Sequence, residues 1–110
     1  MIDPIMSRIV PVMQEELARA QVNHGETYAS MHEAYGVLSE ELYEADIEYH
    51  EVRAYEGLLI SAIHKGESGL LRGELGIIFD RALQAACELV QVAAVAKKAI
   101  HTLNEKGLGS

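Results

Sequence analysis

The chain has 110 residues, enough for one domain but near the size at which a helical protein gains buried surface by self-association. Seventeen Asp and Glu against nine Lys and Arg give a formal charge of -8, and no basic run exceeds Lys97-Lys98, which argues against direct nucleic-acid binding. One cysteine, Cys87, allows no internal disulfide; Met1-Ile2-Asp3-Pro4 has no basic leader pattern, and no stretch approaches the roughly 18 apolar residues of a membrane span, so the expectation is a soluble cytoplasmic protein with a single domain over residues 1–110.

No proline follows Pro11, so glycine must mark the breaks. Three places qualify: Asn23-His24-Gly25, the segment from Lys65 to Gly69, and the tail from Lys106 to Ser110. The first block, residues 4–22, places Ile5, Ile9, Val12, Met13, Leu17 and Ala20 near helical spacing. Pro4 suits an opening turn, and Pro11 predicts a kink or a later start.

The second block opens near Thr27 as a helix cap and carries Tyr28, Met31, Tyr35, Leu38, Leu42, Ala45, Tyr49 and Val52, then Leu59 and Ile63. That alternation of three and four predicts a long helix packed along its neighbours, interrupted or weakened at Gly57. The third block, residues 70–103, repeats it with Leu71, Leu75, Ile78, Ala82, Ala85, Leu89, Val92, Ala96, Ala99 and Leu103. Val37 and Ile47, and Ile77, Val90 and Val95, are apolar residues off these rows, which predicts more than one neighbour per helix. The fold expected is all-α: long antiparallel helices whose four-helix core is completed in a homodimer or homotetramer.

The chemistry concentrates in Glu40-Glu41-Leu42-Tyr43-Glu44 and Glu88-Leu89-Val90-Gln91. At about 100° per residue, Glu33, Glu40, Glu44 and Glu51 fall opposite the Leu38/Leu42 row, while Glu41 and Glu48 flank it. An acidic stripe is ordinarily a solvated face. Here the like charges recur at three and four residues with only Arg53 nearby, a repulsion that a bound cation would relieve. Glu88 is the only acid between Asp80 and Glu105, in an otherwise apolar run, and needs either a metal ion or a salt bridge to Arg81 or Lys98.

At these residues the sequence resembles the MazG-like members of the all-α nucleoside triphosphate pyrophosphohydrolases, whose motif is E-E-x-x-E on one helix and E-x-x-D on a later one. Glu40-Glu41-Leu42-Tyr43-Glu44 matches the first half, and the runs from Asn23 to Glu44 and from Glu88 to Ala96 look like the phage-type branch. The resemblance implies Mg²⁺, or Mn²⁺ in its place, held by Glu41, Glu44, Glu88 and Gln91, with Glu40 a further ligand or the group that orients the attacking water. It implies hydrolysis of a nucleoside triphosphate to the monophosphate and pyrophosphate. Gln91 stands where the motif has Asp, substituting a neutral carbonyl. The interval from Glu44 to Glu88 is longer than the family's, which predicts an extra turn or short helix around residues 60–73.

Lys97 and Lys98 are candidates to meet the triphosphate, against the plainer reading of solvated cations near a helix C-terminus. Tyr43 and Tyr28 are candidates to line a base pocket, against ordinary helix packing. None of the five histidines follows a Glu by three residues, so the di-iron bundle pattern is absent, as are phosphate-binding glycine loops and zinc spacings. The competing class is a catalytically degenerate helical oligomer acting as a binding or regulatory protein, a reading that Gln91 supports.

Overall fold

A computed structural model describes residues 3–108; Met1 and Ile2 of the N-terminal pattern and Gly109 and Ser110 of the tail lie outside them. Three helices account for the described chain, α1 (Pro4–His24), α2 (Met31–Lys65) and α3 (Ser68–Lys106), with no strand among the described residues. The architecture is all-α, as the periodicity predicts.

The ends of the helices follow from side-chain and glycine chemistry. Asp3 caps α1, its Oδ1 accepting from the Ile5 N–H at 2.7 Å, and Pro4 occupies the first turn, where its missing donor costs nothing. Pro11 lies inside α1 and Gly57 inside α2, so neither sets a boundary. Thr27 is not the cap of α2. Ser30 Oγ accepts from the Glu33 N–H at 3.2 Å, while Glu33 Oε1 accepts from the Ala29 N–H at 3.0 Å, a reciprocal arrangement related to a capping box. Proximity to Gly25 suggested Thr27, but the chain from 25 to 30 is held by α3 instead, as described below.

Between α2 and α3 the break is tight. The Gly66 N–H donates to the Ile63 carbonyl and the Glu67 N–H to the Ala62 carbonyl, at 3.1 and 3.4 Å, with Gly66 at φ 65°; this is a Schellman ending that requires a residue able to adopt positive φ. Residues 60–73 therefore contain no added helix. The interval from Glu44 to Glu88 is spanned by the rest of α2, the turn at Gly66 and the first part of α3.

The described chain divides into two compact units, one made of residues up to Leu42 with those from Leu89 onward, the other Tyr43–Glu88. The second is an antiparallel hairpin in which the Arg81 guanidinium reaches the Glu48 carboxylate at 3.4 Å. Among the described residues, those buried in it are Ala45, Ala62 and Glu74. Glu74 is 8% exposed, and its Oε2 has no hydrogen-bond partner among the described residues. In the first unit Tyr28, Ala34, Ala94, Lys98 and Thr102 are buried, and α1 adds half-buried Met13, Leu17 and Ala20.

The helical periods are right, and Tyr28, Leu38, Ala45, Val52 and Leu59 of the second block and Leu71, Ile78, Ala85, Val92, Ala96 and Ala99 of the third are buried or half-buried, but other members of the same rows face outward. Tyr35, Leu42, Tyr49, Ile63, Leu75, Leu89 and Leu103 are exposed. On α2 the inward positions are Ala34, Ala45 and Ala62 with half-buried Leu38, Val52 and Leu59. On α2 the buried positions are the small residues Ala34, Ala45 and Ala62, which let backbones approach closely, whereas on α3 they are Glu74, Ala94, Lys98 and Thr102. Several larger apolar residues of both helices face outward.

Candidate metal and nucleotide site

The acidic motif lies on α2 and is met by Glu88 from α3. Within the hairpin, Glu44 and Glu88 each present a carboxylate oxygen within 4.8 Å of the other. Glu41, one turn before Glu44 on the same helix, stands within the same distance of Glu44. Glu88 is half-buried, and Gln84 Nε2 donates to its Oε1 at 3.3 Å, one turn earlier on α3. Arg81, a sequence-level candidate partner for Glu88, is engaged by Glu48. Glu40 is exposed on α2, adjacent to Glu41.

Carboxylates gathered this closely repel, by about 1 kcal/mol per pair at 4 Å even in bulk water. Oxygen donors of unit charge are the set that hard divalent cations take. By donor chemistry and spacing, Glu44 and Glu88 fit Mg²⁺ or Mn²⁺, and Glu41 offers a third carboxylate one turn before Glu44 on α2.

The first unit holds a cleft of about 690 Å³, within the size range of small-ligand sites. Glu41, Gln91, Lys98, Tyr28, Asn23 and His24 are among its lining residues, as are Arg19 and the apolar Leu17, Val37 and Val95. Gln91 and Lys98, spaced seven apart on α3, thus reach one cavity from the same side of their helix. Lys97 and Tyr43 are exposed and do not belong to that lining.

Lys98 departs from the solvated reading. It is 4% exposed, and its Nζ lies 4.3 Å from the centre of the Tyr28 ring, the distance of a cation–π contact. Tyr28 is fixed on both sides of its backbone: its N–H donates to Thr102 Oγ1 at 2.9 Å, and its carbonyl accepts from Lys106 Nζ at 2.8 Å. The Thr102 hydroxyl in turn donates to the Lys98 carbonyl at 2.9 Å. Lys98, Thr102 and Lys106 follow one another at intervals of four, so a single face of α3 holds the connector between α1 and α2. That interval is visible in the sequence, whereas its target Tyr28 is not. Arg19, Asn23 and His24 were not anticipated as lining residues, because nothing local distinguishes them from the exposed end of an amphipathic helix.

Burial, then the charges of Glu33 and Glu41, raise the Tyr28 phenol above its ordinary pKa of 10.0. A raised value in the folded state means that the stability tied to this group is present below pH 10 and falls as pH rises toward the folded value. Urea denaturation from pH 8 to 11 should show an alkaline loss that is smaller in Tyr28→Phe; identical slopes would remove Tyr28 as the source.

No family model, curated protein or solved structure matches this chain. The functional reading accordingly rests on the carboxylate geometry, the cleft and the motif that the sequence carries.

Proposed function

We propose that the protein is a Mg²⁺-dependent nucleoside triphosphate pyrophosphohydrolase. The observation that carries this reading is the approach of Glu44 and Glu88 from two helices to within 4.8 Å, with Glu41 one turn away on α2. Glu41, Glu44 and Glu88 would hold Mg²⁺ or Mn²⁺, which when bound lowers the pKa of water and offsets phosphate charge. Glu41 also lines the cleft, where Lys98 and Arg19 supply positive charge for a polyphosphate that an acidic protein would otherwise repel. Lys98 is held in position by Tyr28 rather than left to sample solvent, which lowers the ordering cost of binding. Gln91 offers the cleft a neutral amide, as ligand or as hydrogen-bond partner to the nucleotide. Glu40, exposed beside Glu41 on α2, would orient water or add a ligand, and attack at the α-phosphorus would yield the monophosphate and pyrophosphate.

Pyrophosphate release should be measured for a panel of ribo- and deoxyribonucleoside triphosphates with Mg²⁺ or Mn²⁺. Release from at least one of them, together with a metal-induced rise in melting temperature, is the expected result; metal at 100 times its Kd stabilises by about 2.7 kcal/mol. No release from any nucleotide and no thermal shift at millimolar metal would favour the helical binding protein instead. A thermal shift without turnover would point to a metal-binding member in which Gln91 has cost the activity, and Gln91→Asp should then tighten the metal.

A further inference from the structure

Helix α1 is the most lightly held element of its unit. None of its 21 residues is fully buried, whereas Tyr28, Ala34, Ala94, Lys98 and Thr102 anchor the rest of the same unit. Residues 4–12 are exposed throughout, and Pro11 removes one of the hydrogen bonds of the helix. Contact begins at Met13 and follows a single helical stripe, Met13, Glu16, Leu17, Ala20 and Gln21, each of them half-buried. Three of those five, Glu16, Leu17 and Ala20, line the cleft of about 690 Å³, as do Arg19, Asn23 and His24. The face by which α1 meets its unit is therefore largely the wall of the cleft, and a ligand seated there adds directly to a small packed area. An element with so few buried contacts opens at low cost in free energy.

The backbone supplies a hinge where α1 would swing. Tyr28 is fastened to α3 through its N–H, its carbonyl and its ring, so movement of the preceding chain is confined to residues 25–27. Gly25 stands at φ 90° and ψ 163°, a region that only glycine occupies without strain. A methyl group added there would meet only the Thr27 carbonyl oxygen, at 3.9 Å, and Gly25 is not among the lining residues, so Gly25→Ala strains the hinge and leaves the cleft lining unchanged. Charge supplies the pull. Arg19 pairs with Glu16 on its own helix, and its side chain is 69% exposed and free to turn, while Lys98 is fixed on the α3 wall. A polyphosphate between them offers Arg19 a stronger partner than Glu16, and that exchange ties α1 to the ligand.

We propose that α1 is a lid, hinged at Gly25 and drawn closed over the cleft by a polyphosphate through Arg19, a role that rests on the polyphosphate reading of the cleft. The test is amide hydrogen exchange of the full chain, comparing residues 13–21 of α1 with residues 93–102 of α3. In the free protein the α1 segment should exchange at least ten times faster. Tripolyphosphate with Mg²⁺, added at about ten times the Kd found by calorimetry, should slow that segment about tenfold, since it binds the closed form alone. Gly25→Ala should speed exchange in α1 by about fivefold or more, leave residues 93–102 unchanged and weaken tripolyphosphate binding. If α1 is as protected as α3 in the free protein, or if tripolyphosphate binds without slowing α1, the lid is overturned while the polyphosphate reading stands. Failure of tripolyphosphate to bind at all overturns both.

Discussion

Replacing Glu44 or Glu88 with Gln should move stability in opposite directions with and without metal. In the metal-free protein each substitution removes one of the charges gathered within 4.8 Å, so the melting temperature should rise. With millimolar Mg²⁺ the order should invert, because the variant loses a ligand and with it most of the metal-induced stabilisation. Turnover should fall by about 100-fold or more, beyond the 10- to 100-fold typical of losing a group that merely supports a ligand. Calorimetric metal titration, thermal melts and pyrophosphate release on the same variants check all three. If the variants melt lower than wild type without metal, Glu44 and Glu88 are held by contacts that outweigh their repulsion, and the argument from charge crowding fails.

Thr102→Val should be the most damaging single substitution for the cleft. Thr102 is fully buried, and its hydroxyl oxygen is the acceptor for the Tyr28 N–H. Valine keeps the volume and removes the acceptor, leaving a buried donor unpaired at a cost of about 1–3 kcal/mol. For a chain of this size that corresponds to a melting point lower by roughly 4–8 °C per kcal/mol. Thr102→Ser, which retains the hydroxyl, should lose much less. The binding of nucleotide should weaken in Val and not in Ser, since Tyr28 in turn carries Lys98. Equal losses in both variants would assign the effect to packing of the methyl group.

Much of the fold was legible because helices announce themselves by period and by their breaks. Gly25, Gly66 and Gly107 end the three helices, each at positive φ, where the sequence marks them. Which members of an apolar row are buried was not legible. Leu42 and Tyr49 look more like core than Ala45 and Ala62, yet the latter are buried, because hydrophobicity ranks side chains while close approach of two helices selects small ones. The acidic motif could be placed on one helix and Glu88 on another from spacing alone, and Glu41 and Glu48 are indeed the half-buried members of the stripe, with Glu33, Glu40, Glu44 and Glu51 exposed. The burial of Lys98 was not legible, because it lies against Tyr28, a residue 70 positions earlier in the chain.

The bond from Tyr28 to Thr102 spans 74 residues, whereas every pairing inside the hairpin closes around the Gly66 turn. During synthesis the hairpin can zip as soon as its second arm emerges, with little loop entropy to overcome. The cleft cannot. Gln91, Lys98 and Thr102 leave the ribosome after the hairpin that ends at Glu88, so the nascent chain passes through a stage with a formed hairpin, an outward apolar row and no anchorage for Tyr28. At that stage the exposed row has only neighbouring polypeptides for company, and chains growing on the same message present it at high local concentration.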